Sequence, residues 1–135
     1  MTDDERQVLI ARAMAARQRA YAPYSKYQVG AALLARSGKI YEGVNVENAV
    51  YPAGICAERS ALAAAVSDGE RHFAAIAIAT QNGGSPCGVC RQMLSEFGLD
   101  LAVLLINAEG EVVHTTTLRE LLPRAFGPAD LESEV

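Results

Sequence analysis

At 135 residues the chain has the size of one domain, and its 50% hydrophobic against 21% charged composition excludes an intrinsically disordered polymer. A single folded unit over residues 1–135 is expected. The formal net charge of −4 excludes the positive field with which proteins gather a phosphate backbone, so nucleic acid is not an expected partner. No apolar run approaches the roughly 20 residues of a membrane span, and Met1-Thr2-Asp3-Asp4-Glu5 is acidic where a secretory leader is basic. No membrane partner is expected, and the cytoplasm is the expected compartment.

In chain order, Val8, Ile10, Ala11, Met14, Ala15 and Ala20 lie among charged residues at helical spacing, predicting a helix from Asp3 to Tyr21 that Pro23 stops. Val29 to Ala35 and Ile40 to Asn45 read as a strand pair joined across Arg36-Ser37-Gly38-Lys39. The alanine-rich stretch Cys56 to Asp68, closed by Gly69, predicts a second helix. Ala74 to Thr80 reads as a buried strand, Gln81 to Ser85 as a loop, and Cys87 to Phe97 as a third helix behind Pro86. Leu101 to Ile106 and Glu111 to Thr115 are two further strands, followed by a short helix, Leu118 to Leu122, that Pro123 stops. Residues from about 129 to 135 are acidic and are expected to form a solvated tail without fixed structure. Strands interleaved with helices imply the α/β class, a three-layer α/β/α sandwich with a mixed five-stranded sheet.

All three cysteines fall at predicted helix starts. Cys87 and Cys90 are three apart, so both sulfurs face one side of a first turn. Cys56 opens the other helix. Unpaired N–H groups and the helix dipole favour thiolate there, the form that binds metal. Against this stand buried cysteines acting as small hydrophobes, a thioredoxin-like redox pair in Cys87-Gly88-Val89-Cys90, and a closed structural zinc site. The redox reading leaves Cys56 and Glu58 unexplained. The structural reading needs a fourth ligand, and neither His72 nor His114 lies in ligand spacing with a cysteine. Three ligands with an open fourth position form the catalytic zinc pattern, in which a bound water becomes a nucleophile near neutral pH. That chemistry needs a proton carrier, and Glu58 stands two residues after Cys56. Taken alone, Glu58 reads as a carboxylate that complements the helix dipole; beside a zinc ion it is a candidate base.

Cys56-Ala57-Glu58-Arg59 followed by Pro86-Cys87-Gly88-Val89-Cys90-Arg91-Gln92 resembles the small nucleoside cytidine deaminases, in their three-cysteine form. The likeness extends through Tyr21-Ala22-Pro23-Tyr24-Ser25-Lys26, Val29-Gly30-Ala31-Ala32, Asn45-Val46-Glu47-Asn48-Ala49 and Glu120-Leu121-Leu122-Pro123. The resemblance implies a cytidine deaminase-like fold with one zinc ion per subunit, held by Cys56, Cys87 and Cys90. The implied reaction is hydrolysis of cytidine and 2′-deoxycytidine to the uridine nucleosides and ammonia, in pyrimidine salvage. Glu58 is implied as the group that bonds ring N3, takes a proton from the zinc-bound water and delivers protons to N3 and the leaving amine. Asn45 and Glu47 are implied to grip the ribose hydroxyls, and the Ala57 N–H to bond the base carbonyl.

Three thiolates leave the metal a weak Lewis acid, and the resemblance implies that Arg59 withdraws charge from a sulfur, a role Gln92 is expected to share. Tyr27 stands where this family usually carries phenylalanine against the base; its ring keeps the π-face, while its hydroxyl needs a partner. Phe126, in Arg124-Ala125-Phe126-Gly127, matches an aromatic that reaches into a neighbouring subunit's site, which implies a homotetramer with shared sites. A nucleoside-antibiotic deaminase would share the zinc motif, but Asn45-Val46-Glu47-Asn48 argues for a plain ribose. A polynucleotide editor is opposed by the acidic charge and the absence of tryptophan. A non-catalytic zinc scaffold would leave Glu58 incidental.

Overall fold

The structure is a computed structural model and describes residues 1–132. Helix α1 (Asp3–Arg17) opens with a capping box, in which the Thr2 hydroxyl accepts the Glu5 N–H at 3.1 Å and the Glu5 carboxylate accepts the Thr2 N–H at 2.8 Å. It stops a turn before the predicted end. Tyr21 is taken by another segment: its N–H donates to the Asn45 carbonyl and its carbonyl accepts the Glu47 N–H, both at 2.9 Å. The helix therefore ends at Arg17 for a tertiary reason, ahead of Pro23.

Strands β1 (Gly30–Ala35) and β2 (Ile40–Val44) form the expected antiparallel hairpin. A single 3₁₀ turn at Tyr51–Ala53 leads into α2 (Ala57–Ser67), then β3 (Phe73–Ala79), α3 (Gly88–Ser95), β4 (Ala102–Ile106), β5 (Val112–Thr117) and α4 (Leu118–Leu121). The sheet runs β2-β1-β3-β4-β5, with β3 and β4 parallel and every other pair antiparallel. This is the expected mixed five-stranded sheet.

Period-two alternation sends side chains to opposite faces. Ala32, Leu34, Ala75, Ala77, Ala79, Leu104 and Ile106 meet Leu9 and Ala13 of α1. Ala31, Leu33, Ile76, Ile78, Val103 and Leu105 meet α2, α3 and α4 through Ala61, Leu62, Leu94 and Leu118. The result is three layers, with α2 and α3 side by side on one face. Residues 128–132, expected to lie largely within an unstructured tail, instead form α5 (Pro128–Glu132), because Pro128 suits a helix start and the Asp130 carboxylate accepts the Gly127 N–H at 2.8 Å. The rest of that stretch, residues 133–135, lies outside the described residues.

Two glycines let the helices approach the sheet. A Cβ on Gly43 would fall 2.4 Å from both the Ala57 carbonyl oxygen and the Ala61 nitrogen of α2; one on Gly30 would fall 2.3 Å from the Ala13 oxygen and the Arg17 nitrogen of α1. Both clashes are with backbone, so the helix must move. Gly43→Ala and Gly30→Ala should each cost about 1–3 kcal/mol, the scale of overpacking. Gly88→Ala, where a Cβ meets nothing within 4 Å, should be neutral or slightly stabilising. Urea unfolding of the three variants checks this.

Candidate active site

Cys56 and Cys87 are the N-cap residues of α2 and α3, both in extended backbone conformation, and neither side chain caps its own helix. The sulfurs turn toward each other instead. Cys56 Sγ lies 3.9 Å from Cys87 Sγ, and Cys87 Sγ lies 3.4 Å from Cys90 Sγ on the first turn of α3. All three lie within 4.8 Å of one another. Tetrahedral zinc with Zn–S bonds of about 2.3 Å separates its sulfurs by ~3.8 Å, so the triangle fits a thiolate-held zinc ion.

Titration behaviour follows from the crowding. The Cys56 thiol is lowered to about 5, first by the hydrogen bond from Cys90 and then by Arg59 and Cys87, against burial, which raises it. Cys90 is pushed up, first because it is the donor to Cys56 and next because it is buried. The Cys90 hydrogen bond favours the thiolate at Cys56 at the expense of Cys90. A dication removes that compromise and favours all three thiolates.

Glu58 sits in the first turn of α2, 4% exposed, and its carboxyl is raised to about 7, mainly by burial, with a backbone hydrogen bond opposing and the Cys56 charge adding to the rise. A carboxyl poised near neutrality can carry a proton both ways. It lines the same cleft as Cys56 and Cys87, so its offset of two from Cys56 does not turn it away. Arg59 donates from a terminal nitrogen to Cys56 Sγ at 3.8 Å, while its Nε is buried without a hydrogen-bond partner among the described residues. Its charge stays close to the sulfurs.

The cleft has a volume of about 460 Å³, within the ~300–1,000 Å³ of small-molecule sites. Tyr27, Asn45, Glu47, Ala57 and Glu58, five residues read from sequence, all line it. Glu47 accepts the N–H groups of Tyr24 and Ser25, each at 3.0 Å, and the Ser25 hydroxyl. These bonds, the hydroxyl's first, hold its carboxyl below the usual range. Asn45 spans the backbone of the loop before β1, donating to the Tyr27 carbonyl at 2.8 Å and accepting the Val29 N–H at 2.9 Å. One of its two N–H donors remains. The Tyr27 hydroxyl finds its partner in Asn82, donating to Oδ1 at 2.7 Å.

Phe126 and Gln92 are not brought into this cleft. Phe126 is 58% exposed and lies beside Leu99 and Ser95. Gln92, expected near the sulfurs, donates to the Phe126 carbonyl at 2.9 Å, and no hydrogen bond joins it to a cysteine among the described residues. On a helix its side chain is directed toward the C-terminal segment, away from the face that carries Cys90. Sequence reasoning missed Ser25, Thr80, Asn82 and Arg91. Arg91 donates to the Pro86 carbonyl at 2.7 Å, the Leu121 carbonyl at 2.6 Å and the Ser85 hydroxyl at 2.8 Å, fixing the residues just ahead of Cys87. Its place beside Cys90 was the available signal.

Comparison with known proteins agrees with this geometry. The family model described as the cytidine and deoxycytidylate deaminase zinc-binding region matches residues 3–106. The cytidine deaminase of Sporosarcina psychrophila is 50% identical over 126 residues, 91% of this chain and 92% of its own length. That of Halalkalibacterium halodurans is 46% identical over 130 residues, covering 94% and 98%. The crystal structure of cytidine deaminase from Burkholderia pseudomallei superimposes with a TM-score of 0.86 at 47% identity, covering 93% of this chain and 100% of that one. The chain belongs to the cytidine and deoxycytidylate deaminase zinc-binding family.

Proposed function

We propose that this chain hydrolyses cytidine and 2′-deoxycytidine to uridine and 2′-deoxyuridine with release of ammonia, using one zinc ion per chain. The observation that carries the reading is the convergence of three cysteine sulfurs within 4.8 Å, in a cleft that also holds a buried carboxyl. Cys56, Cys87 and Cys90 would hold the zinc ion, which would supply the Lewis acidity that makes water a nucleophile near neutral pH. Glu58 takes one proton from the water as its oxygen bonds C4 and delivers it to ring N3, then carries the second proton from the new C4 hydroxyl to the amine as the C4–N bond breaks and the C4 carbonyl forms. The Ala57 N–H, free at the first turn of α2, bonds the base carbonyl. Glu47, already oriented by Tyr24 and Ser25, accepts a ribose hydroxyl, and the remaining Asn45 N–H donates to another. Arg59 draws negative charge from Cys56 Sγ.

The reading extends to a cytoplasmic enzyme of pyrimidine salvage, because three working thiolates call for a reducing compartment. Among the described residues no helix is long and apolar enough to cross a membrane. It extends also to a homotetramer whose sites borrow Phe126 from a neighbour. In support, Phe126 is 58% exposed and does not line this chain's own cleft, which leaves it available to a neighbour.

Cytidine mixed with the purified protein should lose its ultraviolet absorbance band, with about one zinc per chain on the same sample; full zinc and no turnover would sink the reading. Glu58→Gln should keep fold and zinc while kcat falls by about 10²–10⁴. Arg59→Gln should keep zinc and lose about 10- to 100-fold in kcat, and unchanged turnover at full occupancy would rule the role out. Mixing inactive Glu58→Gln chains with weakened Phe126→Ala chains, then allowing exchange, should restore activity if sites are shared; activity that stays at the sum of the parts argues for self-contained sites.

A further inference from the structure

The loop from Thr80 to Ser85 carries two adjacent glycines, required for different reasons. Gly83 has φ +75°, a conformation side chains rarely adopt. Gly84 has no such backbone need. A Cβ there would instead fall 2.7 Å from the Tyr27 hydroxyl and 3.4 Å from Asn82 Oδ1. The space is taken by one hydroxyl and its acceptor.

That hydroxyl belongs to a connected set. Tyr27 donates to Asn82 Oδ1 at 2.7 Å, the Thr80 hydroxyl reaches the same oxygen at 3.4 Å, and the Gly84 N–H donates to the Thr80 hydroxyl at 2.9 Å. Thr80 is 2% exposed, so its hydroxyl depends on these partners. At its other end Tyr27 is pinned by backbone alone: its N–H donates to the Ser25 hydroxyl at 3.0 Å and its carbonyl accepts from Asn45 at 2.8 Å. The ring is therefore tied down at both ends only when Asn82 holds the hydroxyl. Tyr27, Thr80, Gly84 and Ser85 all line the cleft, and Cys87 lies three residues past Gly84.

We propose that Asn82 is a positioning residue of the substrate cleft, which by accepting the Tyr27 hydroxyl fixes the aromatic wall and the turn before Cys87, and which makes glycine at position 84 a requirement of that hydroxyl. The inference rests on the deaminase reading, in which the Tyr27 ring faces the base. It assigns a structural use to the oxygen that distinguishes tyrosine from phenylalanine. Loss of the tie frees the ring and weakens binding of the base, leaving Glu58 and the cysteines untouched.

The experiment is steady-state deamination of cytidine by the wild-type enzyme, Tyr27→Phe, Asn82→Ala, their double variant, Gly84→Ala, and Tyr27→Phe combined with Gly84→Ala. Tyr27→Phe and Asn82→Ala should each raise KM about three- to tenfold, the scale of one net hydrogen bond, with kcat within about twofold. The double variant should be no worse than the worse single, because one interaction is lost once. Gly84→Ala should raise KM more than either, and adding Tyr27→Phe should recover most of that loss; a Gly84→Ala chain that folds only when combined with Tyr27→Phe also supports the inference. Unchanged KM in both singles, multiplied effects in the double, or Gly84→Ala equally harmful in both backgrounds overturns it. A wild-type enzyme silent toward cytidine sinks the deaminase reading and this inference with it, whereas an active wild type with indifferent variants sinks the inference alone.

Discussion

Both helices that build the site begin at a cysteine that does not cap them. Helices α1 and α4, by contrast, are closed by a hydroxyl, from Thr2 and Thr117. A side-chain cap contributes about 1 kcal/mol, so cysteine at two N-caps gives up a small local gain at each. What replaces it is much larger: thiolate ligation of zinc in small domains is worth on the order of 10 kcal/mol. Zinc held at the two helix starts would fix them to one point, and the unpaired N–H groups around them favour the anions that would bind it. Gly43, by letting α2 lie against β2, brings the first of those starts to that point.

The same cleft must keep sulfurs ionised and a carboxyl ready to be protonated, and burial opposes one while serving the other. Glu58 is nine-tenths or more buried and rises toward neutrality for that reason. Cys56 is only half-buried, and the hydrogen bond from Cys90 first, with the Arg59 guanidinium adding to it, outweighs what desolvation costs. Glu58 and Cys56, two residues apart on one helix turn, are separated by exposure, by the hydrogen bond from Cys90 and by the Arg59 cation. The Nε of Arg59, buried without a hydrogen-bond partner among the described residues, is a polar atom given up in turning that cation toward the sulfurs.

Much of the fold was legible because its signals are local. Alternating apolar strands, the alanine-rich second helix and glycine or proline punctuation gave every strand, and every helix from α1 to α4, within a few residues. The end of α1 was misjudged because it is decided by Tyr21 pairing with Asn45 and Glu47, more than 20 residues away. The tail was read from charge alone, which says nothing of Asp130 closing a turn on Gly127. In the site, the gathering of the three cysteines and Glu58 could be read because their residue types and spacing form one motif at two helix starts. Gln92 could not be placed, since only the folded chain shows that its partner is the Phe126 carbonyl.

The roles that stayed hidden are those of groups that hold others still. Asn82 acts on a residue 55 positions away, through a loop whose conformation depends on two glycines. Arg91 fixes Ser85, Pro86 and Leu121, none of which does chemistry. Such groups have no preferred spacing to any ligand, because what they constrain is backbone, and backbone carbonyls occur everywhere in a sequence. Yet a site whose two halves come from different helix starts depends on them. The three cysteines gather where the helices meet, while Arg91 and Asn82 bond within and around the loop between β3 and α3, which leads to Cys87. The Tyr27 hydroxyl, bonded to Asn82, joins the loop before β1 to the loop before α3 across the cleft that Cys87 also lines.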